Sequence, residues 1–300
     1  MQPKWLYSLL LISCLACNSA DHHEADLSSD PKPGLEYTKL QESLGKGWNT
    51  WNTRSVLSHV YLPACMAVDI QLFQGADRDT LKEALIGRED YGSKEKVIPG
   101  LHAYDGSYTD LEISWKGIRA RVQSATFGKQ FCLLIEPLQS AKDDKIFLHP
   151  HMLWGNSGEI KMDNAAIEFK SNGEIVRLFV KEGKGTADTS NVMFSAASSI
   201  ALSSDSSRTY DAIRKQLDDA RSRLQNQQSR FKDIADVYEP VQSVMAWNTI
   251  YDAGNKRVIT PISRNWNVGW KGWILFDWDT YFGAYMLSLD NKELAYANAI

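Results

Sequence analysis

Between about Thr38 and Ser203, apolar and polar side chains alternate in short runs broken by two-residue turn candidates. Residues 111–115 (LEISW) and 118–122 (IRARV) flank Lys116-Gly117 and read as a β-hairpin. Residues 122–127 and 131–135 around Gly128-Lys129 read as another, and 166–169 with 175–180 around Asn172-Gly173 as a third. Ile118, Ala120 and Val122 share one face while Arg119, Arg121 and Gln123 share the other, so one side of that sheet should meet water. Many short antiparallel strands with closely spaced turns predict a β-sandwich over 38–203.

The period then changes from two to about 3.6. After the cap-forming cluster Ser203-Ser204-Asp205, the apolar Ile213, Leu217, Ala220, Leu224 and Phe231 recur at helical spacing among Lys, Arg, Asp and Gln. One apolar stripe on a polar helix packs on a neighbour and leaves the rest wet, so 204–236 reads as a helical linker. Further helices are expected at 237–251, 279–289 and 292–300, with a loop or short strand at 255–260. The last helical pattern has no C-cap, Gly or Pro stop before Ile300, so 237–300 is expected to be the beginning of a larger helical domain.

The N-terminus alters this picture. Lys4 precedes the apolar run 5–12, and Leu11-Ile12-Ser13-Cys14 resembles the lipobox that ends in a lipidated cysteine. Cys17 is the alternative acceptor. Residues 1–17 are therefore expected to be a lipoprotein signal peptide and 18–37, polar and aperiodic, a tether from the membrane. That implies an exported protein of the bacterial cell envelope, anchored through lipid. His22-His23-Glu24 on the tether reads as solvated and not as a metal cluster.

Charge narrows the ligands. Of 300 residues, 33 are Lys or Arg and 37 Asp or Glu, a formal net of -4 that disfavours a nucleic-acid partner. The remaining cysteines, Cys65 and Cys132, sit in apolar runs and could either pair or stay free. No serine-hydrolase elbow, phosphate loop, HExxH, dinucleotide loop or calcium loop is present, and no cofactor is expected. His149 and His151 share a strand face, where a satisfied or exposed pair is expected and not a metal site.

The chemistry concentrates in residues 247–283, which hold five of the ten tryptophans, an isolated Arg264 and the tetrapeptide Asp277-Trp278-Asp279-Thr280. Aromatic planes beside carboxylates and an arginine suit a sugar, which offers a C–H face to stack and hydroxyls to bond. Asp277 and Asp279 are two apart and cannot flank one bond from opposite sides, so Asp279 reads as a sugar-binding carboxylate, an N-cap for a helix starting near Thr280, or both. Arg264 offers a planar fork of donors for vicinal hydroxyls, or an ion pair with a carboxylate such as Asp279. Trp266, Trp270, Trp273 and Trp278 together suggest a cleft.

The motifs WNTWNTRSV (48–56), WNTIYD (247–252), TPISRNW (260–266) and FDWDTYF (276–282) resemble glycoside hydrolase family 63, inverting α-glucosidases that include the mannosyl-oligosaccharide glucosidases and bacterial relatives. The resemblance implies an N-terminal β-sandwich, a helical linker and an (α/α)6 barrel, here truncated. It implies an oligosaccharide substrate, with Trp278 and Asp279 lining the subsite for the cleaved sugar and Arg264 supporting it; Trp266, as a stacking ring, is a further substrate-binding candidate. It also places the family's general acid and base in barrel segments beyond residue 300, so no catalytic residue is assigned. A surface glycan-binding lipoprotein without catalysis, or a trehalase- or mannosyl-hydrolase-like enzyme, are the alternatives.

Overall fold

A computed structural model describes residues 34–87, 95–264 and 272–299. The expected signal peptide, the expected tether up to residue 33, Cys14, Cys17, Trp266 and Trp270 lie outside the described residues. From Leu35 onward the chain gathers into one compact unit.

Helix α1 (Leu35–Leu44) comes first, then strands β1 (Trp48–Asn49), β2 (Ser58–Tyr61), β3 (Met66–Gln74) and β4 (Asp79–Leu81). Longer strands follow: β5 (Glu95–His102), β6 (Tyr108–Trp115), β7 (Ile118–Phe127), β8 (Gln130–Gln139) and β9 (Lys145–Met152). The β region closes with β10 (Glu159–Met162), β11 (Ala166–Ser171), β12 (Glu174–Glu182), β13 (Thr186–Ala187), β14 (Val192–Ser195) and β15 (Ile200–Ser203). Helices α2 (Tyr210–Ser229) and α3 (Ala235–Asn248), the hairpin β16 (Ile250–Asp252) with β17 (Arg257–Ile259), and helices α4 (Asp277–Leu287) and α5 (Lys292–Ala299) complete it.

The strands form two large antiparallel sheets. One runs β1-β2-β3-β9-β14-β13 with β4 beside β3; the other runs β10-β11-β12-β15-β8-β7-β6-β5. All three predicted hairpins form. Trp115 pairs with Ile118 and Ser171 with Glu174, and Lys116, Gly117, Asn172 and Gly173 all have positive φ, the pattern of a type I′ turn. Phe127 pairs with Gln130 across a turn in which Gly128 sits at φ 60.

The two sheets face each other across one apolar core. Met66, Val68, Ile70 and Leu72 of β3 meet Val122 of β7, Phe131, Leu133 and Ile135 of β8 and Phe169 of β11 there. The intervening residues of β8, Cys132 and Leu134, point outward and pack under Ile213, Leu217, Ala220 and Leu224 of α2. This strand is buried on both faces, which explains why its sequence is an unbroken apolar run and not an alternating one. Each large side chain so buried contributes about 1.5–3 kcal/mol.

The first sheet is covered differently. Val60 and Ala67 on its outer face pack with Met245 and Ala246 of α3, Val258, Leu287 of α4, and Leu294 and Ala295 of α5. Two side-chain amides lace this part together. Gln41 of α1 accepts from Val258 N at 2.6 Å and donates to Val258 O at 3.3 Å, and Asn298 of α5 makes the same two-way contact with Thr260 at 2.8 and 3.1 Å.

Several boundaries differ from the sequence expectation. Residues 35–44 are helix where a tether and then strand were expected, because a Tyr, Leu and Gln stretch with no turn residues can dock on β17 and α5. Helix α2 is capped by Thr209, whose Oγ1 accepts from Ala212 N at 3.2 Å, while Asp205 instead closes a turn through Ser207. Phe231 lies beyond α2 and stacks on Tyr238 at 3.5 Å. The expected helix at 237–251 ends at Asn248, since Thr249 adopts an extended conformation and leads into β16. Cys65 and Cys132 are both free thiols.

Candidate functional site

Helix α4 begins at Asp277, two residues earlier than expected, and its N-cap is Phe276, which offers no side-chain bond. Asp279 is therefore not the cap. It occupies the first turn with Asp277, where a carboxylate complements the positive end of the helix dipole. Trp278 beside it is 64% exposed, and its ring meets that of Phe282 edge-on at 5.7 Å. Tyr281, Phe282 and Tyr285 are exposed as well, so α4 presents an aromatic face with an acid at its N-terminal end.

Arg264 lies elsewhere in chemical terms: it is 5% exposed. Its Nη2 donates to Thr249 O at 2.6 Å and its backbone N to Asn248 Oδ1 at 3.2 Å. Nε and Nη1 have no hydrogen-bond partner among the described residues. Among the described residues it makes no ion pair, so of the two roles open to it, partner to a carboxylate such as Asp279 is not the one seen; burial alone pushes the guanidinium down to about 9. A desolvated cation with two idle donors is expensive unless something accepts from it.

That guanidinium borders a pocket of about 200 Å3 lined by Leu85, Pro99, Ser243, Trp247 and Asn248. Trp247 is fixed by donating Nε1–H to Gly100 O at 2.7 Å and by an edge contact with His102 at 4.4 Å. His102 has Nδ1 2.7 Å from Ala103 O and Nε2 2.8 Å from Thr50 Oγ1. A carbonyl only accepts, so Nδ1 carries the proton and Nε2 accepts from the threonine. Burial first, and then the positive charge of Arg264, push this imidazole down to about 3, keeping it neutral. The WNT segment at 48–50, through Thr50, and the WNT segment at 247–249, through Trp247, thus meet at His102.

A second and larger concavity, about 580 Å3, lies over the outer face of β3 and β9. Because side chains alternate along a strand, Asp69 and Gln71 of β3 and His149 and His151 of β9 all emerge on this face. The two imidazoles stack at 5.3 Å. His149 Nδ1 is held by Ser190 O at 3.0 Å and Asn191 Oδ1 at 3.1 Å. His151 Nε2 sits 2.9 Å from Asp69 Oδ2, an ion-pair distance, but off hydrogen-bond geometry, so His151 Nε2 and Asp69 Oδ1 are both left without a hydrogen bond. Trp154, Tyr251 and Trp273 border the same space. Trp154 has φ 53 and lies 4.8 Å from the Tyr251 ring.

The sequence reading therefore found the acid and aromatic residues of α4 and the arginine, and the structure sets them in two different surroundings. It noted the shared face of His149 and His151 but missed Asp69, Trp154 and Tyr251. The cross-strand register that brings Asp69 opposite His149 leaves no local signal. Among the described residues no group of three or more His, Cys, Asp or Glu side chains is placed to hold a metal, and no helix is long and apolar enough to cross a membrane. Compared with protein-family models the chain matches none, and no curated protein matches it either.

Proposed function

We propose that this chain is the N-terminal part of an exported glycoside hydrolase that cleaves terminal α-glucosidic linkages with inversion, as its resemblance to glycoside hydrolase family 63 implies. The observation that carries the reading is Arg264: a buried guanidinium with two idle donors beside Trp247 is set to receive oxygen acceptors such as sugar hydroxyls. Trp278 and Asp279, open at the start of α4, supply a stacking ring and a carboxylate. In this proposal α3, α4 and α5 are the first helices of an (α/α)6 barrel, and the aromatic face of α4 is where further helices and substrate pack.

The chemistry follows from inversion. A general acid protonates the glycosidic oxygen while a base activates water on the opposite face, the carboxyls standing roughly 6.5–9.5 Å apart. Both come from later barrel segments in the family resembled, so the 300-residue chain should bind sugar weakly and not turn over. The test is to express the longer reading frame and follow glucose release by NMR. Release of the inverted anomer from α-linked glucosides is expected, and a protein that leaves α-glucosides, trehalose and mannosides intact would end the enzyme reading.

A non-catalytic glycan-binding lipoprotein is the second reading. The polar, aromatic-rimmed concavity over β3 and β9 favours it, because that space is built without any residue of α4.

A further inference from the structure

We infer that the concavity over β3 and β9 is a binding site for a neutral oligosaccharide, separate from Arg264, Trp278 and Asp279. This site does not depend on the chain being part of a hydrolase.

Three features point to that ligand class. The first is the polar floor. Asp69 offers a carboxylate and Gln71 an amide that both donates and accepts, so sugar hydroxyls, which also do both, find partners there that a hydrocarbon cannot use.

Charge is the second feature. Arg54 is paired with Glu83 at 2.6 Å and Asp252 with Arg257 at 3.1 Å. Among the described residues bordering the space this leaves Lys82 and Asp69, one charge of each sign. With its charges balanced internally, the surface has little to attract an ionic ligand and much to hydrogen-bond a neutral one.

Shape is the third. A volume of about 580 Å3 lies within the usual span for small-ligand sites, and its rim carries the rings of Trp154, Tyr251 and Trp273. Trp154 is 38% exposed although it is a large apolar side chain, and its backbone sits at φ 53, where a residue of this bulk is rarely found. The chain holds this ring out over the cleft against its own backbone preference. A pyranose stacks its C–H face on such a ring while the floor reads its hydroxyls.

Titration calorimetry of the full chain with maltotetraose, cellotetraose and mannotetraose, and with trigalacturonate as the charged comparison, tests this. Saturable binding of at least one neutral tetrasaccharide is expected, tighter than trigalacturonate. Trp154→Ala and Asp69→Asn should each weaken it about tenfold, in proteins with unaltered circular dichroism. Ile175→Ala, at an exposed position of β12 away from the cleft, should leave it as it was. No binding by any neutral tetrasaccharide, tighter binding of trigalacturonate, or affinity indifferent to both cleft variants would overturn the inference. Failure of α-glucoside hydrolysis with cleft binding intact removes the enzyme reading alone.

Discussion

Trp48 is 1% exposed and stacks on Phe131 with ring centroids 4.3 Å apart, whereas Trp278 is 64% exposed and touches Phe282 edge-on. Both sit in motifs of the same flavour, aromatic residues next to Asn, Asp and Thr. The first ring closes the interior of the sandwich between β1 and β8. The second belongs to a row, Trp278, Tyr281, Phe282 and Tyr285, spaced at 0, 3, 4 and 7 along α4, so the exposed rings share one helix face. A contiguous exposed aromatic face of this kind marks an interaction surface. One end of the molecule has already used its aromatic area for stability, and the other holds it available.

The sharpest way to break that comparison is Trp48→Ala. Removing a fully enclosed indole from between Tyr61 and Phe131 should destabilise the fold by about 3–5 kcal/mol, read as a lower urea midpoint with an unchanged slope. A loss below about 1 kcal/mol would mean that the ring is no more committed to the core than Trp278 is.

Acid should act on the same interior. His59, 1% exposed, is pushed down to about 4 by burial, and His102 to about 3. The unfolded chain takes up these protons near pH 6.5 and the folded chain resists them, so their stabilising contribution is complete above pH 6.5 and is lost as pH falls towards 4. For His59 that amounts to about 3 kcal/mol. Urea melts at pH 7.5 and 4.5 should show the loss, and His59→Gln should flatten the pH slope whatever it does to stability at neutral pH.

A smaller effect is expected at the outer layer. Leu217→Ala on α2 should cost about 2–3 kcal/mol, since Leu217 is 1% exposed against the outward face of β8. Hydrogen exchange would show whether α2 loosens before the sheets do, which would set it apart as a covering element.

The elements themselves were largely legible, and for local reasons. Lys116-Gly117, Gly128-Lys129 and Asn172-Gly173 announce hairpins because the turn geometry demands particular residues at particular places. Ile213, Leu217, Ala220 and Leu224 announce α2 because one face of that helix is buried. β17 falls within the loop or short strand expected at 255–260, but β16 was hidden at the end of the expected helix, because a three-residue strand carries too few alternations to register. The candidate site residues divide in the same way. Trp278 and Asp279 stand in one short motif and could be proposed directly from it. The burial of Arg264 could not, because it follows from α3 and β5 packing around it. The cleft was less legible still: Asp69, His151, Trp154 and Tyr251 come together only through strand register and the docking of β16, where Tyr251 N donates to Trp51 O at 3.0 Å.

Trp278→Ala isolates what remains. On a ring so exposed, with one edge contact, the change should move stability by no more than about 0.5 kcal/mol, because little buried area is lost and no polar group is stranded. Asp279→Ala should be similarly mild, removing one carboxylate from the first turn of α4, a dipole contribution of about 0.3–1 kcal/mol. If the α4 face is a sugar surface, the same two changes should abolish glucose release by the longer protein while its urea midpoint stays put. A large fall in stability with each change would place Trp278 beside Trp48 as a structural residue, and the contrast between the two ends of the molecule would be lost.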